Sequence, residues 1–272
     1  MEYAADLNAS KFGNGFGMRD QRVLEPNQLE YVDHPWNFVN FQKQSNSLLQ
    51  FPSCKEMSGI NIPWVYVGMK FSSFCWHFED MMLPSINFSH WGKPKLWYGV
   101  PEAHREKFDR AVKDKCSLLF KKDPNILFDV ITMISPAYLK QQGVKVFKTL
   151  QRPGEFVVTC PGAYHSGFST GLNIGEAVNF VTKCWFDFGV KCQQIYRMSR
   201  ERIPCFPIEW VLTENIRNLS TLKLSKDVLQ QIQQTYSKIL KEELRSRKNM
   251  LAALRSDFQK SNDNNLANQL AH

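Results

Sequence analysis

His77-Phe78-Glu79, with His165 far downstream, constrains this chain more than any other feature of its sequence. Two imidazoles and one carboxylate are the donor set that holds a non-haem Fe(II) on one face and leaves the opposite face open. In an extended strand, side chains two apart point the same way, so His77 and Glu79 can both reach one metal. An H-x-E triplet alone arises by chance in many proteins. If this one is a site, the fold must carry His165 back to meet it.

The surroundings read as strands. Residues 62–79 are dominated by β-branched and aromatic side chains and predict a strand, a turn around Gly68 and a second strand. Residues 85–88 alternate polar and apolar, and 95–100 follow the turn Trp91-Gly92-Lys93-Pro94. Strand patterns resume at 144–147, at 155–159 across the turn Arg152-Pro153-Gly154, and at 164–168 and 177–181. Between the two groups, Pro101-Glu102 opens a helix, with proline in the first turn and an acid near the positive end. Phe108, Val112, Cys116 and Leu119 recur at helical spacing and predict one buried face through about Phe120. Asp123-Pro124 and Ser135-Pro136 each resemble an N-cap followed by proline, predicting two short helices, the second stopped by Gly143. The expectation is a mainly β fold with α additions: a closed or double-sheet barrel with helices inserted between its halves.

The ends of the chain differ from this middle. Residues 1–35, polar and dotted with Gly13, Gly15 and Gly17, read as an irregular segment packing on the barrel. Residues 36–200 read as the domain that carries the candidate site and 201–260 as a helical appendage. In the latter, Val228, Leu229, Ile232, Tyr236, Ile239 and Leu240 form a stripe expected to face a core, with Ser225 as its cap. Leu251, Leu254 and Phe258 continue the pattern, and 261–272 read as a flexible tail.

Composition excludes several classes. Hydrophobic content of 43% with 13% aromatic residues is that of a globular chain. No apolar run approaches the length that spans a bilayer, and the start lacks a secretory signal pattern, so no membrane role is expected. Seven cysteines, an odd number without a C-x-x-C pair, argue against a disulfide framework and a structural zinc site, and for a reducing compartment. The net charge of +8 permits weak contact with DNA through basic surface, although solvated surface charge accounts for most of it. Part of the excess lies in Lys238, Lys241, Arg245, Arg247 and Lys248.

Iron held by two neutral histidines and a carboxylate keeps positions open for substrate and oxygen. A dicarboxylic co-substrate such as 2-oxoglutarate could chelate through its 2-oxo acid end, and its far carboxylate would then need a buried cation. Lys95 is the candidate: it shares a strand face with Trp97 and Gly99, and Trp97 would exclude water and strengthen the pairing. A lone lysine is usually solvated, but exposure of this strand would also expose Trp97 and Tyr98. Ser85 and Asn87 share a face and could hydrogen-bond the co-substrate; a polar outer sheet face fits the same pattern. His90 reads as a packed or hydrogen-bonded sheet residue, His104 lies near a helix start, and His34 and His272 read as exposed.

These residues sit within longer motifs. The stretch Trp64-Val-Tyr-Val-Gly-Met-Lys-Phe-Ser-Ser-Phe-Cys-Trp-His-Phe-Glu-Asp80, then Ser85-Ile-Asn87 and His90-Trp-Gly-Lys-Pro-Lys-Leu-Trp-Tyr-Gly-Val-Pro101, resembles a Jumonji C (JmjC) domain. So do Gly154-Glu-Phe-Val-Val-Thr-Cys-Pro-Gly-Ala-Tyr-His-Ser-Gly-Phe168 and Asn173-Ile-Gly-Glu-Ala-Val-Asn-Phe180. Within that superfamily the chain most resembles the JARID-type histone lysine demethylases, from about Glu2 to about residue 210.

The resemblance implies a double-stranded β-helix, the cupin-like jelly-roll. It implies His77, Glu79 and His165 as iron ligands and Lys95 as partner of the distal carboxylate of 2-oxoglutarate. It implies Ser85 and Asn87 as co-substrate contacts, Phe74 and Trp97 as aromatic walls, and Tyr3, from the opening segment, as a further co-substrate contact. Tyr66 corresponds to a tyrosine lining the methyl-lysine pocket. Ala177 lies where another demethylase branch uses serine. The implied chemistry is hydroxylation of an N-methyl group using Fe(II), 2-oxoglutarate and O2, with release of succinate, CO2 and formaldehyde. The implied substrate is a methylated lysine near the N-terminus of histone H3, lysine four by family resemblance. The implied setting is the nucleus and its chromatin complexes. Two other readings stay open: a JmjC protein hydroxylase, and a catalytically silent JmjC scaffold.

Departures are visible. Ser169 follows Phe168 where the family usually has asparagine, Met81 and Met82 follow Asp80 where relatives often carry polar or aromatic residues, and Gly162 replaces a common arginine. Neither a JmjN segment nor a cysteine-rich zinc module is read, as expected of a fragment of a longer protein.

Overall fold

A computed structural model describes residues 2–18, 29–45, 47–50, 55–122, 133–198 and 203–270, with only the helical backbone described for 260–270. Cys54, the Asp123-Pro124 helix start and His272 lie outside the described residues.

Two antiparallel sheets build the body of the protein. One contains β1 (Tyr3–Asn8), β2 (Trp64–Gly68), β9 (Asn173–Asn179), β4 (Ser85–Gly92) and β7 (Phe156–Thr159), in that spatial order. The other contains β3 (Ser73–His77), β8 (Tyr164–Ser169), β5 (Lys95–Val100) and β6 (Phe147–Gln151). Neighbours in space are remote in sequence, as the crossing connections of a jelly-roll require. The expected double-stranded β-helix with helical additions is the fold observed.

Register fixes the site before any side chain is considered. Across the β3–β8 ladder His77 pairs with His165, and across β5–β8 Lys95 pairs with Ser169. Across β4–β9 Asn87 pairs with Ala177, and across β2–β9 Tyr66 pairs with Gly175. A slip of one residue would turn each of these side chains to the other face.

Helices cover the four-stranded sheet. After a 3-10 turn, Glu102–His104, come α3 (Arg105–Lys115), α4 (Ser117–Lys122) and α5 (Pro136–Gln141). Trp76, Phe108, Val112, Leu139 and Tyr164 form a fully buried cluster between them and the sheet, and the Trp76 indole N–H donates to the Ile134 carbonyl at 2.8 Å. Ser135 caps α5 by accepting from the Ala137 amide at 3.2 Å, and Gly143 leaves it with φ +73°. A second cluster of Phe16, Phe38, Ile86 and Val178 covers the five-stranded sheet.

Several expectations are corrected. Residues 1–35 are not simply irregular: they contain β1, an edge strand paired with β2, followed by α1 (Ala9–Phe12), and a short α2 (Phe38–Phe41) comes next. Residues 144–146 are not strand, and β6 begins at Phe147. The helix after Pro101 breaks at Cys116 (φ −113°, ψ 32°), which shifts the helical phase and leaves Leu119 46% exposed instead of on the buried face. Two helices, α6 (Phe186–Met198) and α7 (Ile208–Arg217), complete the unit formed by residues 1–224.

Residues 225–272 form a second unit, the long helix α8 (Lys226–Leu270). Its helical backbone continues past Ser261, where the sequence predicts a tail. Tyr236, Leu240, Leu251, Leu254 and Phe258, placed in a core-facing pattern by periodicity, are exposed.

Candidate active site

Strand β3 delivers His77 at its last residue, and Glu79 lies two positions beyond the strand with extended backbone (φ −66°, ψ 152°). The pleat therefore persists past the end of the ladder, and both side chains face the same side. Directly afterwards the chain turns sharply: Met81 and Met82 both adopt left-handed conformations (φ 53° and 54°) and are fully buried. The Trp185 indole N–H donates to the Met81 carbonyl at 2.8 Å and pins this corner.

His77, Glu79 and His165 each offer a ligand atom, and these atoms lie within 4.8 Å of one another. The two imidazole centroids are 4.2 Å apart, and His165 Nε2 is 3.3 Å from Glu79 Oε1. His77 Nδ1 bonds the Cys75 carbonyl at 2.8 Å, and His165 Nδ1 bonds the Ala163 carbonyl at 3.1 Å. A carbonyl only accepts, so both Nδ1 atoms carry hydrogen and both Nε2 atoms present lone pairs to the centre. Three acceptors converging in this way call for a cation between them. Burial, then the neighbouring His165, pushes the His77 pKa down to about 4, keeping the ring in its ligating neutral form. Burial opposes ionisation of Glu79, but the adjacent His165, then His77, and a hydrogen bond from Ser85 hold its carboxyl down at about 2. The donor set fits a divalent metal.

Lys95, on the same barrel interior, is only 4% exposed. Its ammonium lies 5.4 Å from the centroid of the Tyr66 ring, and no carboxylate pairs with it among the described residues. Burial lowers its pKa to about 8. Gly175 makes room for it: a Cβ there would lie 3.0 Å from Lys95 Nζ and 3.3 Å from the Phe88 carbonyl. A buried ammonium of this kind is ready for an anionic ligand.

The remaining walls are held by a hydrogen-bonded frame. Trp97 donates its indole N–H to Gln151 Oε1 at 2.9 Å, and Gln151 Nε2 donates to Asn87 Oδ1 at 3.1 Å. Ser85 Oγ and Thr159 Oγ1 are 2.6 Å apart. Phe74 packs edge-on against Trp97 with centroids at 4.7 Å, and Tyr3 approaches Tyr66 at 6.3 Å. Burial raises the pKa of both tyrosines, so their hydroxyls stay protonated. A cavity of about 570 Å³ is lined by His77, Glu79, His165, Lys95, Ser85, Asn87, Tyr3, Phe74, Trp97, Tyr66 and Ala177, so every residue singled out from the sequence meets there.

Sequence reasoning missed Asp6, Gln151 and Thr159. Asp6 lines the same cavity and accepts a hydrogen bond from Tyr66, and burial raises its carboxyl pKa. It gets there through a bulge between Ala4 and Leu7, with φ +59° at Asp6 itself, and no sequence signal marks such a bulge. Thr159 ends a predicted strand, whose face alternation could have placed it opposite Ser85, whereas Gln151, which pairs with Lys95, lies beyond the predicted strand 144–147 and was not signalled. Of the departures, Ser169 is buried opposite Lys95. Gly162 has φ +68° beside Glu102 and Met82, a conformation in which an arginine would be strained. His90 behaves as expected, its Nε2 lying 2.9 Å from buried Glu176, and no described helix is long and apolar enough to cross a membrane.

Residues 64–180 match the family model described as JmjC domain, hydroxylase. The chain is 43% identical over 199 residues to lysine-specific demethylase 5B of Gallus gallus, a match covering 73% of this chain and 13% of that protein. It is 41% identical over 203 residues to lysine-specific demethylase JMJ17 of Arabidopsis thaliana (73% of this chain, 17% of the relative). With lysine-specific demethylase JMJ703 of Oryza sativa subsp. japonica it shares 41% over 201 residues (74% and 16%). The matches thus span less than a fifth of each of these relatives. The resemblance read from the motifs holds across the strands that carry the triad: residues 64–180 are a JmjC domain, and the relatives that share it are lysine-specific demethylases.

Proposed function

We propose that this chain is the catalytic part of an Fe(II)- and 2-oxoglutarate-dependent histone lysine demethylase. One observation carries the reading: a buried ammonium without an anionic partner shares a cavity with a convergent His-Glu-His triad. His77, Glu79 and His165 would hold Fe(II), which with 2-oxoglutarate and O2 supplies the oxidising power that hydroxylates an N-methyl carbon.

The chain's own residues supply binding and orientation. Lys95 pairs with the far carboxylate of the co-substrate, in surroundings where water does not weaken the attraction. Ser85, Asn87 and Tyr3 donate or accept hydrogen bonds along its length, and Phe74 and Trp97 keep water out. Tyr66 and the small Ala177 face the methylated lysine, whose positive charge Asp6 favours through its bond with Tyr66. Hydroxylation attacks a methyl C–H bond and needs no lone pair on nitrogen, and the N–CH2–OH product then loses its hydroxyl proton to water and releases formaldehyde as the C–N bond breaks, so trimethyllysine is an allowed substrate. The relatives' names support lysine demethylation; the histone H3 tail near lysine four, chromatin complexes, weak DNA contact and a nuclear location complete the reading.

Incubation of the purified chain with Fe(II), 2-oxoglutarate and a panel of methylated histone peptides tests it. Loss of one CH2 mass per turnover, with formaldehyde and succinate released, is the expected result. Gain of one oxygen mass would make the chain a protein hydroxylase, and no turnover with metal bound would make it a scaffold.

A further inference from the structure

Beside the triad, outside the residues that line the cavity except for Phe78, lies a buried cation that the proposed reaction does not use. Arg105, the first residue of α3, is 7% exposed. Its guanidinium carbon lies 4.0 Å from the centroid of the Phe78 ring and 5.2 Å from that of Tyr164. Phe78 stands between the donors His77 and Glu79, and Tyr164 immediately precedes His165. The pleat turns both rings away from the donors, so the guanidinium touches the backs of both ligand-bearing segments at once. The two rings meet edge-on, with centroids at 5.2 Å.

The same helix grips Tyr164 twice more. Tyr164 donates its hydroxyl hydrogen to Asp109 Oδ1 at 2.8 Å, and its ring stacks on Phe108 at 4.1 Å. Asp109 in turn lies 3.8 Å from Arg105 Nε. Yet Arg105 Nη1 is buried without a hydrogen-bond partner among the described residues. A guanidinium buried at this expense, where an apolar side chain of similar size would pack more favourably, adds little to stability. Its planar face instead matches two aromatic platforms, an arrangement that lysine cannot reproduce.

We propose that Arg105, supported by Asp109, is a positioning residue for the metal centre: by stacking on Phe78 and Tyr164 it fixes the spacing of the His77–Glu79 segment relative to His165. The inference rests on the reading of the triad as a metal site. Outer partners of ligands commonly tune metal affinity about tenfold to a hundredfold.

Binding of Co(II) to the purified chain, followed by titration calorimetry and by the ligand-field absorption of the complex, tests it. Arg105→Met, which keeps length and removes the planar cation, is expected to weaken Co(II) binding by about tenfold or more and to shift the absorption bands. Arg105→Lys should recover only part of the affinity. Phe38→Leu, in the separate cluster that covers the five-stranded sheet, should lower the melting temperature and leave affinity and spectrum as in the wild type. Phe78→Leu removes the platform and keeps the cation; it should move both readouts in the same direction, and it decides the matter if Arg105→Met does not fold. Wild-type affinity and spectrum in folded Arg105→Met, or in Phe78→Leu where the former is unfolded, overturn the proposal. His77→Ala separates the two readings: if it binds Co(II) as the wild type does, the metal site fails first.

Discussion

The ammonium of Lys95 lies 5.4 Å from the Tyr66 ring centroid and meets no carboxylate among the described residues. Its pKa falls from 10.5 to about 8 because burial disfavours the charge. Below pH 8 the lysine is protonated both folded and unfolded, and the native state bears the whole desolvation cost. As pH rises from 8 to 10.5 the native state loses its proton first, the unfolded chain binds more protons, and stability rises. The shift corresponds to about 3 kcal/mol. Lys95→Met is therefore expected to stabilise the ligand-free protein at pH 7, with an advantage that shrinks above pH 8. It should also abolish the melting-temperature rise produced by 2-oxoglutarate. Urea titrations at several pH values check this, and a less stable variant at pH 7 would show that the ammonium has a compensating partner.

Gly175 is the companion of that lysine. An added Cβ would lie 3.0 Å from Nζ and 3.3 Å from the Phe88 carbonyl oxygen. The lysine end can move, but the strand carbonyl cannot, and overpacking of this kind costs about 1–3 kcal/mol. Gly175→Ala should raise KM for 2-oxoglutarate about tenfold, equivalent to 1.4 kcal/mol, with a smaller effect on kcat at saturating co-substrate. Steady-state kinetics separate the two. Loss of kcat alone would mean that the methyl disturbs the metal centre and spares the co-substrate pocket.

The metal-free protein should weaken as pH falls. His77 is depressed from 6.5 to about 4, and Glu79 from 4.5 to about 2. Between pH 6.5 and 4 the unfolded chain protonates its histidine while the native state resists, so stability drops with falling pH. Between 4.5 and 2 Glu79 adds a loss of the same sign. Each contributes on the order of 3 kcal/mol across its window. His77→Ala should flatten the upper window only, and chelated wild-type protein should show the full slope. A divalent metal at 100 times its dissociation constant should restore about 2.7 kcal/mol at pH 7, and this gain should be missing in His77→Ala.

Most of the site was legible because β-strands translate sequence spacing directly into facing. His77 and Glu79, Ser85 and Asn87, and Lys95 and Trp97 are each two apart, and each pair meets in the cavity. What escaped needed information that spacing does not hold. Asp6 reaches the cavity through a bulge, and Arg105 looks like a solvated helix residue until Phe78 and Tyr164 are known to lie against it. Helix α6 was hidden by its own packing: Gly189 breaks the apolar pattern, yet a Cβ there would sit 2.6 Å from the Trp185 ring. Close approach, not chain flexibility, explains that glycine. Leu119 was misplaced because the phase shift at Cys116 is a backbone event without a residue signature.

Trp185 provides a test of how the corner after Glu79 is held. Met81 and Met82 both have φ above +50°, a conformation that non-glycine residues enter only when their surroundings impose it. At that corner the Trp185 indole N–H donates to the Met81 carbonyl, and the Met81 backbone also hydrogen-bonds Tyr196. Trp185→Phe removes it, leaves a buried carbonyl short of a partner and opens a small cavity, at a combined cost of about 2–4 kcal/mol. Relaxation of the two methionines toward ordinary dihedrals would swing Glu79, two residues upstream, away from His165. Trp185→Phe should therefore weaken Co(II) binding as well as lower the melting temperature. If metal affinity is unchanged while the melting temperature falls, the strained corner is held without Trp185, which then contributes only to folding.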